Sequence, residues 1–133
     1  MDIAALIAWV VTALGGFVLL GRWLQGGGQK PGASRLPAPV VFGHFLLAAA
    51  GLVVWIVYVV TDTEALAWVG VVLLVLIALL GFTLVARWFP ARSTAAPGSA
   101  DARLPLPVVA GHGLLAVTTV VLVLLSALGV GGD

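Results

Sequence analysis

Four long apolar runs divide the chain. Ile3 to Trp23 carries no charge before Arg22, and Ala65 to Trp88 none before Arg87. Pro37 to Val60 and Leu104 to Val130 carry no Asp, Glu, Lys or Arg, and hold one histidine each, His44 and His112. Each run reaches the roughly 20 residues needed to cross a hydrocarbon core of about 30 Å. Within lipid a backbone must satisfy its own polar groups, so the runs predict helices. No run alternates with period two, which argues against a membrane barrel. The expected fold is all-α, a transmembrane four-helix bundle forming a single membrane domain over residues 1–133.

The connections are of two kinds. Residues 24–36 and 89–103 are rich in Gly, Pro, Gln and Ser, the composition of polar loops. Thr61-Asp62-Thr63-Glu64 reads as a tight turn, with Thr61 or Asp62 able to cap the next helix and Glu64 in its first turn. Pro37 and Pro105 fit the starts of the second and fourth helices, where a missing N–H is harmless.

Composition agrees with lipid as the solvent: 62% of residues are hydrophobic and 8% charged, against about 25% charged in soluble domains. The placement of charge adds an orientation. Arg22, Lys30, Arg35, Arg87, Arg92 and Arg103 all flank or occupy the two long loops, whereas Asp2, Asp62, Glu64 and Asp133 lie at the other end. The positive-inside rule then predicts both long loops in the cytoplasm of a multi-pass cell-membrane protein, with N and C termini outside. The start Met-Asp-Ile lacks a basic n-region, so the first run is expected to remain as a span. There are no cysteines, which removes disulfides, thiolate metal sites and covalent haem attachment.

The two halves repeat. Gly16-Phe17, Leu20 and Arg22-Trp23 return as Gly81-Phe82, Leu84 and Arg87-Trp88. The stretch from Arg35 to Ala48 returns from Arg103 to Ala116 as RLPxPVVxGHxLLA. Repeat 1 covers 3–60 and repeat 2 covers 65–130. Each contains two helices, so both copies enter from the same side. The bundle is thus expected to consist of two parallel-topology helix-pair repeats about an axis along the membrane normal.

An ionisable side chain within a span is a functional-site hypothesis by default. His44 and His112 each lie seven residues beyond the matching proline, or roughly 10 Å along a helix at 1.5 Å per residue. Both therefore fall at one depth, near the loop-bearing side. Facing inward, two imidazoles at equal depth could ligate one haem iron from both sides, and bundle cores are usual places for such cofactors. Gly43 and Gly111 leave room beside the histidines; Ala48 and Gly51 follow His44, and Ala116 and Thr119 follow His112, at helical spacing. Arg22 and Arg87 could pair with haem propionates, or serve as ordinary interfacial anchors. Trp23 and Trp88 read as interfacial belt residues. Gly15, Gly16 and Gly81 read as close-packing positions, and the histidines themselves could merely bond a carbonyl or threonine across a helix interface.

The architecture resembles that of small b-type membrane cytochromes, four-helix bundles with paired histidines. Those with two haems use four histidines at two depths, and this chain has two at one depth. The resemblance implies haem b as cofactor and one-electron transfer with a quinol or redox-protein partner. Two other classes stay open: a cofactor-free accessory subunit packing into a homo-oligomer or larger membrane complex, and a small transporter using the histidines. Hydrolysis has no support, because no carboxylate lies in a span and no nucleophile has a base at suitable spacing; nothing in the loops suggests nucleic-acid binding.

Overall fold

The computed structural model describes residues 1–131. Asp133, part of the acidic end, lies outside the described residues. Four helices account for most of the chain: α1 (Asp2–Gln25), α2 (Ala38–Thr61), α3 (Glu64–Ala91) and α4 (Leu106–Ala127). Two short 3-10 turns, Arg92–Thr94 and Asp101–Arg103, shape the second long loop. All four helices are long and apolar enough to cross a membrane. Ile3, Leu14, Leu46, Val60, Phe82 and Leu114 all face outward and are more than half exposed. An all-helical bundle with an apolar exterior suits lipid rather than water, since lipid leaves the apolar outer face unpenalised.

Helix ends follow local chemistry. Pro37 and Pro105 stand at the N-caps of α2 and α4 in extended conformation, with Pro39 and Pro107 in the first turns. No N–H is lost from the ladder there. Pro90 falls in the last turn of α3, which ends one residue later. The helix thus runs past the expected loop start at residue 89. In the tight turn, Asp62 takes a left-handed conformation (φ 54°) and closes α2, its N–H bonding Tyr58 O. Asp tolerates that region better than most residues. The N-cap of α3 is Thr63, without a side-chain cap bond, rather than Thr61 or Asp62 as the sequence suggests.

The helices pair across the sequence repeat. The most extensive packing is α2 on α3 and α1 on α4. The core falls into two parts. Toward the acidic end, Trp9, Trp55 and Tyr58 stack with ring centroids 6.4 and 4.7 Å apart, joined by Leu74, Ile77 and Val123. Toward the basic end, Trp23, Leu36, Val41, Trp88 and Ala100 form a second cluster.

Trp23 and Trp88 are 1% and 3% exposed, so the belt positions expected for them are not where they lie. Each indole N–H instead binds the loops. Trp23 Nε1 donates to Ser34 Oγ at 2.9 Å, and Trp88 Nε1 to the carbonyl of Asp101 at 2.9 Å. Ser34 Oγ donates to Asp101 Oδ1 at 2.5 Å, and the Arg35 N–H to Asp101 Oδ2 at 2.9 Å. One carboxylate, 6% exposed, thereby knots both long loops over the bundle end. A buried tryptophan needs such a partner for its N–H.

Candidate functional site

Between the two core clusters the histidines meet. His44 reaches from α2 and His112 from α4; their ring centroids stand 6.3 Å apart with planes at 76°. Both side chains therefore face inward. Each ring is also anchored to a helix of the other repeat: His44 Nδ1 is 2.9 Å from the carbonyl of Ile77 on α3, and His112 Nδ1 is 2.9 Å from that of Thr12 on α1. A carbonyl only accepts, so Nδ1 carries the proton in both rings. In the neutral imidazole that leaves the lone pair on Nε2.

The sequence explains why those carbonyls are reachable. Gly16 lies four residues after Thr12, and Gly81 four residues after Ile77. A helical carbonyl points toward residue i+4, where a side chain would normally cover it. The glycines remove that cover, and the rings lie directly on the backbone. A Cβ built on Gly16 would stand 3.1 Å from His112 Cε1, and one on Gly81 3.1 Å from His44 Cε1. The carbonyl keeps its intrahelical bond and uses its second lone pair for the imidazole.

The two halves of the site differ beyond this matched contact. Next to His112, the hydroxyls of Thr12 and Thr119 lie 3.1 Å apart; one donates to the other, and the acceptor hydroxyl donates to its own helix, at Ala8 O or Leu115 O. The repeat-equivalent positions are Ile77 and Gly51. There the methyl of Ile77 and the indole of Trp9 close over Gly51, whose Cβ would meet them at 3.4 and 2.8 Å. Gly51 is thus a seat for Trp9, and Ala48 packs on the same apolar cluster.

A second difference concerns access. Gly43 is covered by Leu80, 3.9 Å from its built Cβ, whereas Gly111 has open space. Gly15 stands where the other repeat has Leu80. A groove of about 380 Å³ results between α1 and α4, lined by Val11, Leu14, Gly15, Val18, Val108, Gly111, His112 and Leu115. His112 thus contributes to the lining of a groove on the α1–α4 face, and His44 has no counterpart among its residues. Ala116 is half-buried one turn further along α4. Arg22 and Arg87 are exposed, and among the described residues no carboxylate pairs with them.

Among the described residues no three His, Cys, Asp or Glu side chains converge to hold a metal ion. A bare zinc-type ion wants three or four protein ligands, so the pair does not make that kind of site. Two opposed nitrogens do suit an iron whose other four ligands come from a macrocycle. A bond of about 2 Å from each ring nitrogen would set the centres of two opposed imidazoles roughly 6 Å apart. The ring centres here stand 6.3 Å apart. No family model, curated protein or solved structure matches the chain. The class of protein rests on what is built here: a four-helix, membrane-compatible bundle with an inward-facing, carbonyl-anchored histidine pair.

Proposed function

We propose that the chain is an integral membrane protein that holds one b-type haem between α2 and α4, with His44 and His112 as axial ligands. The carrying observation is the pair of imidazoles 6.3 Å apart, each tied at Nδ1 to a backbone carbonyl. Ligating histidines characteristically donate their other ring N–H to such an acceptor, which fixes tautomer and ring orientation. When bound, the haem supplies one-electron chemistry. His44 and His112 would hold the group by their Nε2 atoms, among apolar side chains, and two protein nitrogens on it would favour electron transfer over oxygen binding. Its partner in that exchange is a membrane quinol or a redox protein. Gly43, Gly111, Ala48 and Ala116 keep the histidine-bearing faces of α2 and α4 small.

The orientation follows from charge. The six basic residues put the two long loops on the cytoplasmic side and the termini outside, in two parallel-topology repeats. The haem then sits in the cytoplasmic leaflet.

A cofactor-free scaffold is favoured by one specific observation: the two histidine–carbonyl bonds already join α2 to α3 and α4 to α1, and such bonds glue membrane helices on their own. A visible spectrum separates the readings. The protein purified in mild detergent and supplied with haem is expected to give a Soret band that moves on reduction and sharp low-spin bands. His44→Ala and His112→Ala are each expected to lose most of that haem. A colourless wild type, or variants that retain haem fully, would overturn the ligand assignment.

A further inference from the structure

The two histidines share one kind of anchor and differ in what surrounds it. His44 sits among packed side chains. Leu80 lies over the preceding Gly43, 3.9 Å from its built Cβ, and Ile77, whose carbonyl holds the ring, is buried with Trp9, Trp55 and Leu74. Around His112 the repeat-related positions carry Gly15 in place of Leu80, Thr12 in place of Ile77 and Thr119 in place of Gly51. Gly111 has open space where Gly43 meets Leu80, and the groove of about 380 Å³ lies on this side. The α2–α3 side is thus filled by apolar side chains. The α1–α4 side has lost that filling and gained two hydroxyls.

Thr12 is placed to make up the difference. Its carbonyl accepts from His112 Nδ1 at 2.9 Å, and its hydroxyl meets that of Thr119 at 3.1 Å. Thr119 lies seven residues beyond His112 on α4, about two helical turns. One residue of α1 therefore holds α4 at two points, of which one is the imidazole. Two points fix the rotation and height of α4 against α1, where a single bond would let the helix pivot about it. Both threonines are buried. The anchor in turn decides the tautomer: a ring tied to a carbonyl at Nδ1 keeps its proton there and leaves Nε2 bare. A ring that slips off the carbonyl can take the proton on either nitrogen.

We propose that Thr12 and Thr119 are positioning residues for His112: their hydroxyl link holds α4 so that the imidazole stays on the Thr12 carbonyl with Nε2 free to bind. The equivalent task at His44 falls to Leu80, Ile77 and Trp9, by packing alone. The proposal rests on the reading of His112 as a ligand, so its test reads the ring without haem.

The full chain, carrying isotope-labelled histidine in mild detergent, gives ring-nitrogen NMR signals in which protonated and bare nitrogens are distinct. His44→Ala tells the two rings apart. In the wild type both rings are expected to carry the proton on Nδ1. Thr119→Val leaves the Thr12 carbonyl in place and removes the link. The Nε2-protonated form of His112 is then expected to rise about threefold to tenfold, the factor that one interhelical side-chain bond supplies, with His44 unchanged. Thr119→Ser returns the hydroxyl and is expected to restore the wild-type ratio. If Thr119→Val loses its helical circular dichroism, Thr12→Val takes its place with the same expectation. An unchanged His112, an equal change in both rings, or serine that fails to restore the signal would overturn the proposal. Haem added to the wild type is scored separately: a colourless protein would reject the haem reading and leave the response of His112 to Thr119 standing.

Discussion

Gly16→Ala isolates the contact on which the site is built. A methyl there stands 3.1 Å from His112 Cε1, so the ring must retreat by a few tenths of an ångström. The retreat strains its 2.9 Å bond to the Thr12 carbonyl. Side-chain hydrogen bonds between membrane helices average about 0.6 kcal/mol and reach about 1.7, and overpacking a tight contact costs about 1–3 kcal/mol. Against this, replacing a mid-helix glycine by alanine gains about 0.5–1 kcal/mol from backbone entropy. Gly21, on the same helix, measures that gain alone, because a Cβ there meets nothing within 4 Å. Gly21→Ala is thus expected to stabilise by about 0.5–1 kcal/mol, and Gly16→Ala to fall about 1–2 kcal/mol below it. Equilibrium unfolding in mixed micelles, followed by tryptophan fluorescence, reads both. In a His112→Ala background the penalty at Gly16 is expected to vanish. Equal stabilities for the two alanine variants within about 0.3 kcal/mol, or a penalty that survives removal of His112, would refute the claim that this glycine exists to seat the imidazole.

Three further outcomes follow from the same geometry. Gly26→Ala would place a Cβ 2.5 Å from the Ala100 Cα, a clash with backbone that no rotamer relieves; a loss of about 1–3 kcal/mol is expected in the same unfolding assay. Asp101→Asn keeps one acceptor but sets an amide N–H₂ against either Ser34 or the Arg35 N–H, at a cost of about 1–3 kcal/mol, and trypsin is expected to cut at Arg35, which precedes Leu36, faster than in the wild type. Thr12→Val and Thr119→Val, alone and together, are expected to show a coupling of about 0.5–1 kcal/mol for their 3.1 Å bond; strict additivity would mean that each hydroxyl is satisfied by its own helix.

How far the sequence could be read depends on which forces act where. The four helices were legible because hydropathy and the lipid constraint act through side-chain type along the whole run. The depth of His44 and His112 was legible because the repeat places each at one distance from a proline. Their facing was not, since apolar residues surround α2 and α4 on every side and no stripe marks the inner face. Ile77 and Thr12 were missed as partners because a backbone carbonyl leaves no trace in residue type. The available trace was the glycine four residues later, Gly16 and Gly81, matched in both repeats and read only as close packing. Trp23 and Trp88 were misplaced because an Arg-Trp pair ending a span has the composition of a headgroup belt. Ser34 and Asp101, which draw the indoles inward, sit in loops whose mutual contact no local pattern announces.

The choice of histidine is itself informative. Other polar links between helices need no imidazole: Thr12 and Thr119 join α1 to α4, the one that does not donate across bonding its own backbone, and Ser126 donates to Asp2 across the same pair. A hydroxyl does this with one atom and little volume. Histidine at 44 and 112 requires a glycine on each facing helix and places two rings against each other at the bundle centre. Each ring spends Nδ1 on a carbonyl and still has Nε2. Among the described residues, no buried side-chain nitrogen or oxygen lacks a partner, and both rings are only partly buried. The second nitrogens are therefore not sealed into apolar packing as orphans, which would cost each about 1–3 kcal/mol. Glue explains one nitrogen per ring. The proposed haem would use the second nitrogen of each ring, and the anchoring at Nδ1 is what leaves that nitrogen as an acceptor.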